Sequence, residues 1–316
     1  MTGEMSDREH DLLMHVLTEV DGIGRKTASG IITLREEFQD FEELETEDLR
    51  TVSNMNEEKA VGVYNALQDI DFTKDIAILE TEIILYEFLD NAYKKLREIT
   101  LEDLDINALL VKALGFTTAE EVIEFVLYQR INRSTVTSWG MRVEDIVISA
   151  GAEEIPQKEN VVVGGKRFDM RKDRGGKTYY IQLKSGPNTM NVGMVDSLNQ
   201  MITRIEDEHE DAVGMLGMTY GKKNQISSQI RGNLIDFENK AIIGEEFWEF
   251  VSGNENHFAE LIILLNRLST QFADRYEQRY FDLVEEKQES LRVTWREKYG
   301  SLGSEGLEQF LDEYTD

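Results

Sequence analysis

Three side chains in the middle of the sequence have the chemistry needed to hydrolyse a phosphate ester: Asp169, Gln182 and Lys184. Side chains two residues apart on a β-strand point to the same face, so Gln182 and Lys184 share one face of a predicted strand. The sequence Asp173-Arg174-Gly175-Gly176 is typical of a tight turn and predicts a hairpin that returns the chain past Asp169. One carboxylate, one amide oxygen and one ammonium would then meet at the end of a sheet.

This set of groups fits a metal-dependent phosphodiesterase. Mg²⁺ prefers oxygen ligands, which Asp169 and Gln182 can supply. The cation polarises the phosphate and lowers the pKa of water, while Lys184 can hold that water or offset the developing negative charge. The alternative is a surface hairpin whose polar residues are merely solvated.

β-rich runs on both sides of the turn must position these groups. Residues 161–163 begin the first run, Gly164-Gly165 interrupts it, and residues 166–170 resume it. The second run covers residues 178–184. Residues 166–184 contain seven Lys or Arg and only two Asp, so the predicted hairpin is locally basic.

The hairpin and its flanks resemble a known group of nucleases. Phe168-Asp169-Met170 and the stretch 180–191 (YIQLKSGPNTMN) are similar to the PD-(D/E)XK superfamily and, within it, to the type II restriction endonucleases. The resemblance implies a mixed central sheet flanked by helices, and Mg²⁺-dependent cleavage of DNA. This chain departs from the pattern at Gln182, where the family has an acidic residue, and at Phe168, where the family name gives proline. A neutral amide binds Mg²⁺ more weakly than a carboxylate, so Gln182 bears on metal affinity more than on reaction class.

Residues 130–150 are predicted to form the first helix of the nuclease domain. Glu144 lies 25 residues before Asp169, where related enzymes carry a glutamate near the metals. The resemblance therefore adds Glu144 to the catalytic and metal-binding residues. Asp145 competes for this role, because adjacent helical residues point about 100° apart and only one can face the site. A solvated surface acid is the alternative.

Amides and cations after the hairpin are candidates for DNA contacts. Asn188 and Asn191 follow it directly, and Lys222 and Lys223 lie in a later loop at residues 221–225. Lysine suits phosphates and amides suit base edges. A solvated loop is the alternative for each of these residues.

The remaining pattern predicts the other elements of the nuclease domain and its flanks. Helices are predicted at 194–205 and 245–250, with strands at 212–218 and 241–243. Residues 73–128 read as a helical connector. Residues 256–299 read as one long helical tail, whose apolar side chains are explained equally by core packing and by a homodimer.

The N-terminus resembles a helix-hairpin-helix motif. Residues 20–28 (VDGIGRKTA) place a hydrophobic residue between Gly22 and Gly24 and a small residue four positions later. The glycines allow a sharp turn, and the free amides at the start of the next helix suit a phosphate. Arg25 and Lys26 are placed to reinforce such a contact. The alternative is an ordinary turn between two helices.

A second copy of this pattern follows at residues 52–60 (VSNMNEEKA). Asn replaces both glycines, and Asn is the residue that next best tolerates a left-handed backbone. Glu57 and Glu58 replace the two cations, so this copy is predicted to act as a structural partner that binds phosphate poorly. The resemblance implies a tandem module, residues 5–72, that grips the DNA backbone without reading sequence.

Composition restricts the compartment and the partners. The chain has no cysteine, four His and no apolar run near 18 residues, so we expect a cytoplasmic protein with no membrane partner. Its net charge of −28 is unusual for a DNA-binding protein. Either it binds no nucleic acid, or it comes from a very salty cytoplasm in which acidic surfaces maintain solubility. The basic hairpin favours the second explanation.

Together these observations predict an α/β restriction-endonuclease-like domain with an all-α N-terminal domain and a helical C-terminal extension. The predicted domains are residues 1–72, 73–128, 129–255 and 256–316, the last ending in an acidic tail. The predicted function is Mg²⁺-dependent cleavage of double-stranded DNA, as in a type II restriction endonuclease. A repair or junction nuclease and a catalytically inactive DNA-binding protein are the alternatives.

Overall fold

The computed structural model describes residues 5–68, 70, 72 and 76–313. The chain forms two compact units, Met1–Ile83 and Ile84–Asp316. Residues 73–75 and 314–316, where the predicted connector begins and the predicted acidic tail ends, lie outside the described part. No helix in that part is long and apolar enough to span a membrane.

The first unit is built from helices. In chain order they are α1 (Asp7–Thr18), α2 (Arg25–Ile32), a 3-10 turn (Gln39–Glu43), α3 (Thr46–Leu49) and α4 (Glu57–Gln68). Ser6 begins α1 with a capping box, in which its hydroxyl accepts from the Glu9 amide while the Glu9 carboxylate accepts from the Ser6 amide. The core contains apolar side chains of both repeats, including Leu17, Ile31, Leu49 and Val63.

The two repeats of the first unit pack through a reciprocal contact. A Cβ on Gly30 would lie 3.0 Å from Val52 Cγ1, and a Cβ on Gly62 would lie 3.0 Å from Val20 Cγ1. Gly62 and Val52 follow Gly30 and Val20 by the same number of residues, 32. The two halves therefore contact each other through equivalent residues, as expected for a duplicated hairpin with approximate twofold symmetry.

The second unit contains a four-stranded sheet in the order β1-β2-β3-β4. The strands are β1 (Met170–Arg174), β2 (Lys177–Lys184), β3 (Ala212–Met218) and β4 (Ala241–Ile243). β1 pairs antiparallel with β2, and the other pairs are parallel. The predicted mixed sheet is thus present, with β3 and β4 at their predicted positions.

The hairpin differs in detail from its prediction. Its turn is only Gly175-Gly176, both with positive φ (60° and 76°), because β1 continues through Arg174. Residues 166–169 are not part of β1. Lys166 instead pairs with Val163 around Gly164-Gly165, and Asp169 comes immediately before the strand.

Helices cover both faces of the sheet. One apolar core joins Ile181, Met215 and Ile242 to three helices, α7 (Ala119–Ser149), α11 (Glu245–Ser252) and α12 (His257–Arg275). The other core joins Tyr180, Leu216 and Ile243 to α8 (Val192–Glu208), α9 (Ser228–Asn233) and α10 (Phe237–Lys240). Alternate residues of β2 therefore belong to different cores, as the period of a strand requires.

The long helix α7 corrects one prediction. The sequence predicted a separate helix at 130–150, but α7 is continuous from Ala119, where Thr118 and Glu121 form a capping box. Continuity arises because no residue between the predicted connector and nuclease segments breaks the helix. The remaining helices before it are α5 (Ile76–Glu98), which begins in the first unit, and α6 (Ala108–Leu114).

The single helical tail predicted at residues 256–299 is instead two helices, α12 and α13 (Tyr280–Tyr299), and a further helix, α14 (Ser304–Asp312), follows them. The break between α12 and α13 contains Glu277, whose φ is +58°. Leu264 of α12 packs in the core of the sheet, while Trp295 and Phe310 pack with α7. Core packing explains these side chains, and the homodimer stays a prediction.

Candidate active site

Asp169 and Gln182 are in direct contact across the hairpin. The Asp169 amide donates to the Ile181 carbonyl (2.9 Å), which extends the β1–β2 pairing by one residue. The Asp169 carboxylate oxygen Oδ2 accepts from the Leu183 amide (2.6 Å) and from the Gln182 side-chain amide. The hairpin thus brings these two residues together, as their spacing predicted.

Lys184 lies at the carboxyl end of β2 on the same cleft. Its ammonium donates to the Leu183 carbonyl at 2.7 Å, and the side chain is half-buried. The cleft has a volume of about 260 Å³ and opens between the hairpin and α8. Its lining consists of Lys166, Arg167, Asp169, Gln182, Lys184, Met190, Met194 and Met201.

Glu144 is the acid of α7 that interacts electrostatically with Asp169 and Lys184. Desolvation raises the pKa of the Glu144 carboxyl, the negative charge of Asp169 raises it further, and the Lys184 ammonium opposes both effects. Asp145 instead lies 3.5 Å from an Arg142 guanidinium nitrogen, in an exposed pair. Glu144 is therefore electrostatically coupled to the cleft, although it comes from a helix on the opposite face of the sheet.

The protonation of Asp169 is set by opposing effects. Loss of surrounding water raises the pKa of the Asp169 carboxyl, although part of this side chain remains accessible. The Lys184 ammonium, the Leu183 amide and the Gln182 amide all stabilise the carboxylate and lower the pKa, but desolvation dominates. Asp169 therefore binds a proton more readily than an ordinary aspartic acid does.

The donor set suits a small hard cation. Asp169 and Glu144 offer carboxylate oxygens, and Gln182 offers an amide oxygen once its amide rotates by half a turn. In the described part of the chain, no group of three or more His, Cys, Asp or Glu is placed to hold a metal. Mg²⁺ accepts such a sparse site because it is commonly held by one or two carboxylates and several waters. These residues therefore fit Mg²⁺.

Most cations of the basic hairpin have structural partners. Arg171 pairs with Glu153 (3.0 Å) and Glu159 (2.8 Å), and Lys172 donates to the Gly151 carbonyl (2.7 Å). Lys166 and Arg167, by contrast, are exposed at the cleft. The sequence indicated this pair only through the overall basic charge of the segment, so neither residue was singled out.

Two of the four DNA contacts predicted after the hairpin have local roles. Asn191 caps α8, its side-chain oxygen accepting from the Met194 amide at 3.0 Å. The Lys223 ammonium donates to the Glu238 carbonyl (3.0 Å) and lies 3.4 Å from the Glu246 carboxylate. The side chains of Asn188 and Lys222 are exposed.

The loops that follow β2 and β3 are joined by hydrogen bonds and by ring packing. Thr219 donates its amide to the Lys184 carbonyl (3.2 Å) and its hydroxyl to the Ser185 carbonyl (2.9 Å). The Tyr220 ring lies over Gly186, where a Cβ would come within 2.3 Å of the ring. Gly186 therefore allows the close approach that holds the end of β2, and with it Lys184, in place.

The two turns of the first unit are alike at one position and different at the other. Gly22 (φ +76°) and Asn54 (φ +69°) are both left-handed, as predicted for this pair. Gly24 is extended and gives α2 no side-chain cap, whereas the side chain of Asn56 accepts from the Lys59 amide (2.9 Å). The prediction that Asn56 replaces glycine for its left-handed backbone is wrong, because Asn56 serves as a helix cap.

Charge also differs between the two turns. Arg25 and Lys26 are exposed beside the uncapped start of α2. At the second turn, Glu57 forms an ion pair with Arg50. Lys59, which the sequence did not single out, crosses to the first turn, where its Cε lies 2.8 Å from the point a Cβ on Gly22 would occupy.

Comparison with known proteins gives one family. The family model described as "Type II restriction endonuclease EcoO109I" matches residues 77–272. A search of curated proteins finds no match. The matched segment contains Glu144, Asp169, Gln182 and Lys184. Because the match covers more than half of the chain, the protein belongs to the EcoO109I family of type II restriction endonucleases.

Proposed function

We propose that this endonuclease hydrolyses phosphodiesters of double-stranded DNA at the cleft between the hairpin and α8, as a Mg²⁺-dependent enzyme of the PD-(D/E)XK type. The observation that carries the proposal is the contact between Asp169 and Gln182 beside Lys184, inside the segment that matches the family. Such a cluster of polar groups converging in one cleft is typical of a catalytic site.

Each residue has a distinct role in this proposal. Asp169 and Gln182 would hold Mg²⁺, with Glu144 binding a second cation or fixing a water. The cation would supply Lewis-acid activation of the phosphate and a more acidic water. Lys184 orients the attacking water and offsets the negative charge that develops on the phosphate.

Replacing Lys184 by alanine is expected to lower the cleavage rate by about 100- to 1000-fold, the usual cost of losing one donor to a developing charge. DNA binding should be largely retained. Lys177→Ala is the matched control, since Lys177 lies on the same strand at the distal turn. Single-turnover cleavage of a mixed-sequence plasmid measures both variants. Wild-type rates for Lys184→Ala would contradict its assignment.

Gln182 can be tested through the metal requirement. Gln182→Glu provides an anionic ligand, so the Mg²⁺ concentration for half-maximal cleavage should fall. Gln182→Ala removes the oxygen and should abolish activity or sharply raise that concentration. Mg²⁺ titrations of plasmid cleavage compare the three proteins. The same Mg²⁺ dependence in all three would show that Gln182 is not a ligand.

The raised pKa values of Asp169 and Glu144 predict pH-dependent metal binding. A cation needs the ionised carboxylates, so Mg²⁺ affinity should fall as the pH drops through a range above that of ordinary carboxyl groups. Lys184 lowers the pKa of both acids, so Lys184→Met should shift this loss to higher pH. Calorimetric titration with Mg²⁺ across the pH range measures the midpoint. An unchanged or lower midpoint in Lys184→Met would refute the electrostatic coupling.

The raised pKa values of Asp169 and Glu144 also make the free energy of unfolding depend on pH. An acid whose pKa is higher in the folded state binds protons more tightly there than in the unfolded chain. Asp169 and Glu144 therefore disfavour folding while ionised, and this penalty is relieved as the pH falls through their folded-state pKa values. A stable fold at neutral pH must offset the penalty elsewhere.

The first unit is proposed to act as a tandem helix-hairpin-helix module that grips the DNA backbone. Its support is the pair of related turns, of which only the first combines uncapped helix amides with Arg25 and Lys26. Phosphate contacts position a protein without reading sequence. The second turn, with its amide capped by Asn56 and with Glu57 and Glu58, is the structural partner.

Changing Arg25 and Lys26 to Glu should weaken binding similarly on cleavable and unrelated duplexes. The dependence of log K on log salt should become shallower by about 0.9 for each phosphate that the protein no longer neutralises. Glu57→Gln with Glu58→Gln is the control and should have little effect. Fluorescence anisotropy at several salt concentrations measures both.

The cleaved sequence should also stay the same when residues 1–72 are deleted. Mapping the cut sites of the truncated and full-length enzymes on one plasmid tests this. Cleavage at different sequences after the deletion would mean that the first unit reads bases.

The tandem hairpins also favour a second candidate, a repair or junction nuclease, because such modules recognise DNA structure rather than sequence. Cleavage of plain plasmid at fixed sequences would support the restriction enzyme. Preferential cleavage of a four-way junction would support the alternative. The neutral ligand Gln182 is the one feature that favours an inactive DNA-binding protein, and any Mg²⁺-dependent cleavage would reject it.

We also propose a salty cytoplasm as the setting of this enzyme, with the net charge of −28 as the support. Strong screening at high ionic strength would weaken the repulsion between this surface and DNA. A direct contact between a phosphate and the cations of the basic cleft spans a short distance, so salt would screen it less.

A further inference from the structure

The five cations of residues 166–174 divide into two sets. Arg171 and Lys172 are held by protein groups, and Arg174 donates to the Phe250 carbonyl (3.3 Å) with its guanidinium over the Phe250 ring. Lys166 and Arg167 line the cleft beside Asp169. The Lys166 ammonium lies 3.5 Å from the Ser197 hydroxyl, and no partner of Arg167 is found among the described residues.

The backbone on both sides of Arg167 is fixed. Before it, the amides and carbonyls of Val163 and Lys166 exchange two hydrogen bonds of 3.0 Å across Gly164-Gly165. After it, the Asn160 side chain donates to the Phe168 carbonyl (2.8 Å) and accepts from the Phe168 amide (3.2 Å). Phe168 itself is buried. A guanidinium with a free end therefore projects from a rigid backbone, which is the arrangement of a preorganised binding group.

We propose that Arg167, assisted by Lys166, binds the DNA phosphate adjacent to the one that is cleaved and so places the substrate strand in the cleft. The inference rests on the proposed function of that cleft. Arg167 is two residues from Asp169, so their Cα atoms are at most about 7 Å apart. That separation lets one strand engage both residues through neighbouring phosphates.

Electrostatics explains why the cleft needs this residue. Asp169 and Glu144 repel a phosphate, and Lys184 alone balances only part of their charge before a cation binds. Arg167 adds a positive charge to the lining of the cleft. A guanidinium also presents paired N–H donors that match two phosphate oxygens, which a lysine ammonium cannot do.

Three variants of the full-length enzyme test the role of Arg167. Arg167→Met removes the charge and keeps much of the side-chain length, and Arg167→Lys keeps the charge without the paired donors. Lys177→Met removes a cation from the same hairpin at its exposed distal turn. Binding of a mixed-sequence duplex is measured by anisotropy in EDTA at several salt concentrations, so that this part needs neither metal nor cleavage. Thermal unfolding checks the fold.

Arg167→Met should weaken binding about 10- to 100-fold, the range for losing a hydrogen bond to a charged group. It should also reduce the salt dependence by about 0.9. Arg167→Lys should retain the salt dependence and lose part of the affinity. Lys177→Met should bind like the wild type, and all melting temperatures should agree. In single-turnover plasmid cleavage, Arg167→Met should be slower at saturating enzyme with an unchanged Mg²⁺ requirement.

Equal binding and salt dependence for Arg167→Met and wild type would overturn the inference, as would equally weakened binding by Arg167→Met and Lys177→Met. These outcomes are separate from failure of the proposed function. If Lys184→Ala abolishes cleavage while Arg167→Met behaves as wild type, only the inference fails. If the wild type does not cleave with Mg²⁺, the catalytic proposal fails, and the comparison in EDTA still decides whether Arg167 contacts phosphate.

Discussion

The pairing of β1 with β2 is the interaction on which the cleft depends. The Asp169 amide continues the ladder to the Ile181 carbonyl, and the Asp169 carboxylate then accepts from the Leu183 amide further along β2. One strand therefore fixes both the backbone and the side chain of the same acid. Gln182 and Lys184 belong to that strand, so their positions relative to Asp169 are set by the strand itself.

The rest of the second unit keeps this strand in place. β2 lies between β1 and β3, and its alternate side chains enter the two apolar cores. Its carboxyl end is held by Thr219, whose carbonyl in turn accepts from the Trp248 indole at 2.8 Å. α7, on the other face of the sheet, places Glu144 where its charge interacts with Asp169 and Lys184. The polar groups thus come from several elements joined by one core, which favours precise positioning.

Elements with a strong apolar period were predictable from sequence. β3, β4 and α11 are found where continuous apolar runs or helical spacing placed them. The start of β1 was less predictable, because residues 166–169 have the composition of a strand but do not belong to it. Lys166 pairs with Val163, and the Asp169 amide makes the first hydrogen bond before β1 begins. The sequence did not indicate the break at Glu277, because residues other than glycine and asparagine rarely adopt a left-handed backbone.

In the candidate site, too, some features were predictable from sequence and others were not. The contact of Asp169 with Gln182 follows from strand periodicity and turn chemistry. The choice between Glu144 and Asp145 depends on the rotation of α7 about its axis, which only packing determines. Asn191 and Lys223 show a further limit, because local hydrogen bonds that occupy a side chain cannot be read from residue type.

The reciprocal packing of Gly30 on Val52 and of Gly62 on Val20 bears on how the first unit could diverge after duplication. The four residues that join the halves are separate from Arg25, Lys26, Glu57 and Glu58, which follow the turns. Substitutions at those four charged positions therefore leave both glycine–valine contacts in place. One half could exchange its cations for acids while the pairing of the two halves persisted.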